Sequence, residues 1–123
     1  MDNHNNFEKL EIPLLATFFI IYEQAHHMIF TLPKFERYTL GEKIENTILE
    51  AIELTIIGNS AGKFDKEKIF SRVNAKIELL KILYRLSLNN QMIKSEKYLA
   101  IEKTLQEAGK QIQGWIKYVK NQR

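Results

Sequence analysis

The chain has 123 residues, enough for one domain with a core of its own and too few for two. It contains no cysteine, which excludes a disulfide framework, thiol catalysis and a cysteine-based zinc site. Two prolines and five glycines interrupt long periodic stretches, a composition typical of helices and not of a many-stranded β fold. The sequence therefore predicts a single all-α domain over residues 1–123.

Charge is distributed unevenly between the two halves of the chain. Residues 1–62 carry four Lys or Arg and nine Asp or Glu, whereas residues 63–123 carry fourteen and six. Such asymmetry is typical of a nucleic-acid partner or of complementary surfaces in an oligomer. A solvated helix surface rich in lysine produces the same composition, so charge alone leaves these interpretations open.

The first helix is predicted from Pro13 to Phe30. Residues 1–9 before it are polar and lack the basic segment of a signal peptide, so we interpret them as a flexible lead-in of a cytoplasmic protein. Residues 14–22 are apolar on nearly every side, which indicates deep burial or a subunit interface. The longest mostly apolar run, Ile12 to Tyr22, has about half the length that a membrane-spanning helix needs, so we predict no membrane association.

Glu23 and His26 form a Glu-x-x-His pair on one helix face, an arrangement that holds two iron ions in some helix bundles. Such a site requires a second Glu-x-x-His pair. The other histidines are the adjacent His27 and His4 near the N-terminus, so a complete site cannot be assembled. We therefore predict no metal and no cofactor.

The second helix is predicted over residues 34–58, and its start can be read in two ways. Pro33 suits a first helical turn, whereas Thr39 and Glu42 fit a capping box that would start the helix later; the sequence leaves both open. Apolar and small residues three and four apart predict one core face, formed by Leu40, Ile44, Thr47, Ile48, Ala51 and Thr55. A second apolar stripe, rotated from the first, consists of Leu49, Ile52 and Ile56.

The third helix is predicted over residues 65–89, with Asp65 as N-cap and Phe64 packing onto Ile69 as a hydrophobic staple. Its core face is followed by a second apolar stripe at Leu79, Leu83 and Leu86. Basic residues at four-residue spacing form two rows on its polar surface, Lys68, Arg72 and Lys76 in the first and Lys81 and Arg85 in the second.

The fourth helix is predicted over residues 95–121, with Ser95 as N-cap. Lysines seven residues apart lie opposite its apolar face and should be exposed: Lys103, Lys110 and Lys117. Two glycines interrupt the helix, and we attribute Gly109 to close approach of a neighbouring helix, while Gly114 has no explanation from the sequence.

Four amphipathic helices with short connections predict an antiparallel up-down-up-down four-helix bundle. A monomer of this size has too few layers to cover the second stripes, so we predict a homo-oligomer with its interface at Leu49, Ile52, Ile56, Leu79, Leu83 and Leu86. There is no Gly-rich phosphate loop, no nucleophile with a plausible base, and no pair of carboxylates in an identifiable cleft, so we predict that the protein is not an enzyme.

Three motifs in the same order resemble the Avd-like four-helix-bundle family. The string LPKFERYTLG at residues 32–41 resembles the opening of the family's second helix, and residues 80–86 resemble its third-helix segment with two basic residues four apart. Gly109 and residues 114–117 (GWIK) resemble its C-terminal signature, in which Gln113 stands here in place of the first glycine of a pair. The family includes the accessory variability determinant of diversity-generating retroelements and proteins encoded in ribosomal RNA intervening sequences.

The resemblance implies a bacterial, cytoplasmic homo-oligomer without catalytic activity, a five-fold barrel in the best-known branch. In the retroelement branch it implies binding to a reverse transcriptase and to nucleic acid, with the basic helix-three positions carried over as Lys81 and Arg85. Together with the spacing analysis, the candidate nucleic-acid residues are Lys81, Arg85, Lys68, Arg72, Lys76, Lys103, Lys110 and Lys117. The alternative is a stand-alone bundle of the intervening-sequence type that acts in protein–protein assembly and does not bind nucleic acid.

Overall fold

The computed structural model describes residues 12–122 and shows four helices, with no strand among those residues. Helix α1 spans Ile12–Phe30. Helix α2 consists of a short α-helical turn, Lys34–Glu36, a π-helical segment, Arg37–Gly41, and a long α-helix, Glu42–Ser60. Helix α3 spans Lys63–Asn89 and α4 spans Ser95–Asn121. The predicted all-α class is confirmed, and the predicted lead-in at residues 1–9 lies outside the described residues.

The core is formed by the apolar stripes of all four helices. Each helix packs against its neighbours in the chain, and α1 also packs against α4. Side chains with no exposed surface lie at the centre, among them Phe18, Ile48, Ile77, Leu80, Tyr84 and Leu105. Burial raises the pKa of the Tyr84 hydroxyl far above its usual value, which keeps the phenol neutral. None of the described helices is long and apolar enough to cross a membrane.

Individual contacts show how neighbouring helices lie along each other. The Tyr22 hydroxyl donates a hydrogen bond to the Glu45 carboxylate at 2.8 Å, and Ile29 lies against Gly41 further toward the end of α1. Residue numbers therefore rise along α2 as they fall along α1. The α2–α3 and α3–α4 contacts show the same reversal, in the pairs Glu50–Lys76, Gly58–Lys66, Lys81–Gly109 and Arg85–Tyr98.

The backbone of α2 approaches α3 closely at Gly58. A Cβ built at this glycine would lie 2.6 Å from a ring carbon of Phe70 and 3.1 Å from Ile69. Lys66, one turn before Phe70, donates hydrogen bonds from Nζ to the carbonyls of Gly58 and Asn59 at 3.0 and 2.7 Å. These bonds add to the Ala61 N–H at the Gly58 carbonyl and provide a donor for the Asn59 carbonyl at the end of α2. A glycine and a lysine therefore join α2 to α3.

The structure chooses between the two possible starts of α2 and corrects two predicted caps. Helix α2 begins at Lys34 after Pro33, which supports the early start. Helix α3 begins after Gly62, so Asp65 lies in the first turn and is not the N-cap. The predicted staple is also wrong, because Phe64 is 83% exposed. Helix α4 begins after Lys94 and contains Ser95 as its first residue, so a serine N-cap was wrong as well.

Helix α3 ends in a Schellman motif without glycine. The N–H of Met92 donates to the carbonyl of Ser87 at 2.8 Å, and the N–H of Gln91 donates to the carbonyl of Leu88 at 3.0 Å. Gln91 has a φ of 60°, the left-handed conformation that this motif requires and that glycine adopts most easily. The chain leaves α3 abruptly here, which brings α4 back along it.

The two glycines of α4 do not mark close helix contacts. A Cβ at Gly109 would meet only the Nζ atom of Lys81, at 3.9 Å, which is ordinary van der Waals contact. Close approach of a neighbouring helix, predicted for Gly109, is therefore wrong. A Cβ at Gly114 would meet nothing within 4 Å. The close approach is at Gly58 instead, where the sequence only indicated the end of a helix.

Replacing Gly58 with alanine is expected to destabilise the fold by about 1–3 kcal/mol, the usual cost of forcing an extra carbon into a packed core. Gly114→Ala is the matched control and is expected to stabilise the protein by about 0.5–1 kcal/mol, because it removes backbone freedom from a helix interior without a clash. Chemical unfolding followed by circular dichroism measures both. Changes of the same sign in the free energy of unfolding of the two variants would contradict the close contact assigned to Gly58.

Candidate nucleic-acid and partner surfaces

The string LPKFERYTLG forms the corner between α1 and α2. Pro33 has an extended ψ of 153°, and its carbonyl accepts the N–H of Arg37 at 3.0 Å. The Arg37 guanidinium turns back over the end of α1 and donates to the carbonyls of Leu32 at 3.1 Å and Phe30 at 3.4 Å. A cation near a helix C-terminus also interacts favourably with the helix dipole. Arg37 therefore fastens α2 to the end of α1.

Gly41 ends the π-helical segment and is buried against α1. A Cβ at this position would lie 3.3 Å from a side-chain carbon of Ile29 and 3.3 Å from the carbonyl oxygen of Glu36. The Thr39 hydroxyl bonds to the carbonyl of Phe35 at 3.1 Å, so it does not form the capping box considered for this helix. Arg37, Thr39 and Gly41 of the motif thus have structural roles at this corner.

The other half of the motif lies on the surface. Phe35 and Tyr38 are exposed, and Phe30 at the end of α1 is exposed beside them. An open groove of about 450 Å³ runs between α1 and α2 at this corner. It is lined by aromatic, histidine and acidic side chains together with Arg37, and among them are His26, Phe30, Tyr38, Glu42 and Glu45. The corner is an aromatic surface with acidic neighbours.

Lys81 and Arg85 lie in a depression between α3 and α4 and are already engaged there. Lys81 Nζ lies 3.1 Å from the Glu78 carboxylate. Arg85 donates from Nε to the Tyr98 hydroxyl at 3.1 Å, with its guanidinium 5.6 Å from the centre of the Tyr98 ring. This hydrogen bond, the charge effect of Tyr98 and the nearby Glu102 raise the pKa of Arg85, although partial burial opposes the rise. The pair is therefore less available to phosphate than its sequence spacing indicated.

The first basic row of α3 consists of Lys68, Arg72 and Lys76, and only one of these three residues forms an ion pair within the described residues. Lys76 forms an ion pair with Glu50 of α2 at 2.9 Å, and this hydrogen bond lowers the pKa of the Glu50 carboxyl. Lys68 and Arg72 are exposed beside an open groove that Asp65 also lines, and neither takes part in an ion pair within the described part of the chain. Two of the three predicted cations thus remain available to a ligand.

The lysines of α4 are exposed as predicted: Lys103, Lys110 and Lys117. Over residues 12–122 no ion pair involves any of them. Their seven-residue spacing places them in a line along α4. The eight candidate cations therefore form three groups, one in the α3–α4 depression, one toward α2 and one along α4, and not a single cluster.

The six residues proposed for an oligomer interface differ in exposure. Leu49, Ile56 and Leu86 are exposed, and Ile52 and Leu79 are partly buried. Leu83 is only 7% exposed and belongs to the core, so it is not available to a second copy. Further exposed apolar side chains lie on all four helices: Phe19, Ile20, Ile57, Ile82 and Leu99. Phe19 and Ile20 belong to the run for which the sequence allowed a subunit interface, whereas the sequence analysis did not identify the other three. The all-round apolar character of α1 was the available signal for Phe19 and Ile20.

Glu23 and His26 were considered above as one half of a two-metal site. Both are exposed, and the His26 ring stacks on Tyr22 with its centre 6.2 Å away. Among the described residues, no group of three or more His, Cys, Asp or Glu side chains could hold a metal ion together. The histidine instead contributes to the aromatic surface at the α1–α2 corner.

The bAvd-like family model matches residues 16–119, a range that includes nearly all of the four helices. No curated protein matches the chain. The family match confirms the resemblance indicated by the three sequence motifs.

Arg37→Ala is expected to destabilise the protein by about 1 kcal/mol, because two carbonyls at the end of α1 lose a charged donor at a partly solvated site. Tyr38→Ala, one residue along, should leave stability within about 0.5 kcal/mol, since this side chain is exposed. Urea unfolding of the two variants separates the structural part of the motif from its surface part. Equal losses of stability in the two variants would show that Arg37 is not the structural residue and Tyr38 the surface residue of the motif.

Proposed function

Because the chain belongs to the bAvd-like family, we propose that it is a non-catalytic accessory protein of a diversity-generating retroelement. In this role it binds nucleic acid and a reverse transcriptase as a cytoplasmic homo-oligomer, a pentamer as in the best-known branch of the family. We also infer the antiparallel up-down-up-down arrangement, which the reversed residue pairs between neighbouring helices support. The family match over residues 16–119 supports the accessory role.

The observation that carries nucleic-acid binding is the line of free lysines along α4. Lys103, Lys110 and Lys117 are exposed on a rigid helix and have no ion pair within the described residues. Lys68 and Arg72 add a second free group on α3. Cations of this kind bind phosphates by releasing counterions, so affinity falls steeply as salt rises. In an oligomer each weak contact is repeated, and multivalency raises the overall affinity.

Lys81 and Arg85 have a smaller part in this proposal than their position in the family motif implied. Lys81 is paired with Glu78, and Arg85 donates its Nε–H to Tyr98 with Glu102 nearby. Phosphate would have to compete with Glu78 for Lys81 and would share Arg85 with Tyr98. We therefore assign the main phosphate contacts to the α4 lysines and treat Lys81 and Arg85 as secondary.

The second candidate function is protein–protein assembly without nucleic-acid binding, the role considered for a stand-alone bundle. Exposed apolar side chains favour it: Leu99 is 65% exposed and Phe19 is 59% exposed. Large apolar surfaces on a soluble domain mark contact sites for other proteins. In this case the lysines serve only to keep the protein soluble. Only the first candidate function requires the protein to bind polyanions such as RNA and DNA.

The triple substitution Lys103→Gln/Lys110→Gln/Lys117→Gln is expected to weaken RNA and DNA binding uniformly across sequences. It should also reduce the slope of log affinity against log salt by up to about three, roughly one for each lost phosphate contact. Fluorescence anisotropy titrations at several salt concentrations measure both quantities. Lys81→Ala/Arg85→Ala should have a smaller effect, because both side chains are already paired.

The matched control for this experiment removes the same charge elsewhere. Lys34→Gln/Lys43→Gln/Lys63→Gln eliminates three exposed cations outside the α4 line and should weaken binding less. If the two triple variants weaken binding equally, binding depends on net charge and not on the line of lysines along α4. A parent protein without salt-sensitive binding at low ionic strength would overturn the nucleic-acid function and leave the assembly function.

The parent protein is expected to self-associate at tens of micromolar, since exposed apolar residues occur on all four helices. Native mass spectrometry and multi-angle light scattering measure the number of subunits. A discrete oligomer larger than a dimer would agree with a closed ring. A clean monomer at that concentration would contradict the proposed homo-oligomer.

A further inference from the structure

An apolar cavity opens at the end of the bundle where α1 begins and α4 ends. All four helices contribute side chains to its lining, among them Leu14, Thr55, Phe70, Trp115 and Val119. Of the described residues around it, Lys66 alone is charged. The volume of the cavity is about 70 Å³, whereas pockets that hold whole small molecules have volumes of roughly 300–1,000 Å³. The cavity therefore fits a single apolar side chain better than a metabolite.

Helices α2 and α4 extend past the start of α1 at this end. The hydrogen bond from Tyr22 to Glu45 sets the antiparallel register of α1 against α2. The 3.2 Å hydrogen bond from Gln24 Nε2 to Thr104 Oγ1 sets the register of α1 against α4. Because every α-helix rises equally per residue, both registers place the last turns of α2 and α4 level with residues 7–10, before α1 begins. The chain therefore enters α1 beside the cavity.

Residues 1–11, here the N-terminal segment, contain two large apolar side chains close in sequence to the cavity, Phe7 and Leu10. Leu10 precedes Leu14, a residue of the cavity wall, by four positions. Four residues span about 6 Å in a helix and at most about 14 Å in an extended chain, so Leu10 is within reach of the cavity. Pro13 allows the chain to bend here, because a proline interrupts regular helical hydrogen bonding.

Charge also favours this segment as the occupant of the cavity. Residues 1–11 contain three acidic residues and one basic residue, a net side-chain charge of −2. The end of the bundle around the cavity, residues 57–68 and 114–122, contains five lysines and two acidic residues, a net side-chain charge of +3. A covalent link of a few residues also gives the segment an effective concentration in the millimolar range. A separate molecule lacks this second advantage.

We propose that the N-terminal segment docks on the bundle, with Leu10 filling the cavity and Phe7 covering its outer edge beside Tyr118. Tyr118 lines the cavity and is 53% exposed, and its ring lies edge-on to Trp115 with the ring centres 5.7 Å apart. Docking covers both rings and closes the apolar core at the end where α1 is shorter than its neighbours. The segment is then part of the folded domain, and the contact does not depend on the proposed nucleic-acid function.

A disulfide tests the position of Leu10. The chain has no cysteine, so Leu10→Cys/Asn59→Cys introduces the only two thiols, one in the segment and one in the cavity lining. Docking brings the two Cα atoms within the limit of about 7 Å for a disulfide, and an intrachain bond should form in a glutathione buffer. Intact mass and non-reducing electrophoresis measure it. The matched control is Leu10→Cys/Ser60→Cys, because Ser60 is the next residue but lines a different groove between α2 and α3; this pair should stay reduced.

The fluorescence of Trp115, the only tryptophan of the chain, tests whether the cavity is covered. Phe7→Asp/Leu10→Asp should shift its emission to longer wavelength and increase its quenching by acrylamide, because the ring loses its apolar cover. Asn3→Asp/Asn5→Asp adds the same two charges to the segment without removing an apolar side chain, and its emission and quenching should match those of the parent protein. Circular dichroism checks that both variants remain helical.

The other outcomes of these experiments contradict the proposal. Equal disulfide formation by the two cysteine pairs would show that Leu10 has no fixed position on the bundle. A disulfide between two chains would show that a second copy covers the cavity. Unchanged quenching of Trp115 in a helical Phe7→Asp/Leu10→Asp variant would show that these two side chains do not cover it. If that variant loses its helices, the cysteine pairs, which retain Phe7, decide the question alone.

Discussion

The hydrogen bonds from Arg37 to the end of α1 hold the start of α2 in place, and the packing of α2 against α1 depends on them. Its guanidinium, from within α2, binds the carbonyl of Phe30 at the end of α1 and that of Leu32 just beyond it, and Gly41 allows Ile29 to approach one turn later. The intervening residues form a π-helical segment, a feature that is frequent at functional sites. Within this segment Tyr38 is exposed to solvent and lines the aromatic groove. One short string therefore sets the pairing of α1 with α2 and builds part of their outer surface.

Apolar periodicity was sufficient to predict the four helices, because a stripe at three- and four-residue spacing can be buried only by a helix. The caps were harder to predict. Asp65 and Ser95 are good N-cap residues, yet Gly62 and Lys94 occupy those positions. Where the end of one helix is tied to the next by packing, as Lys66 ties α2 to α3, local cap preference is overridden. Those contacts depend on tertiary register, which local spacing does not specify.

The candidate site was also only partly predictable from the sequence. Sequence spacing proposed eight candidate cations, and it predicted the exposure of the α4 lysines from their position opposite the core stripe. It could not reveal that Tyr98 would meet Arg85, since this requires the register of α3 against α4. Leu83 was assigned to an outer stripe because it recurs with Leu79 and Leu86, but it is only 7% exposed and packs into the core cluster.

The surroundings of Arg85 distinguish it from the other candidate cations. A guanidinium that stacks on a tyrosine ring and donates to its hydroxyl is pre-organised, so little side-chain entropy remains to be lost when a further partner binds. Ile82 and Leu86, which line the same depression, are exposed beside it. The basic side chains of α3 and α4 thus differ in their surroundings: Arg85 lies among a tyrosine and apolar side chains, whereas Lys103, Lys110 and Lys117 have no ion pair within the described residues.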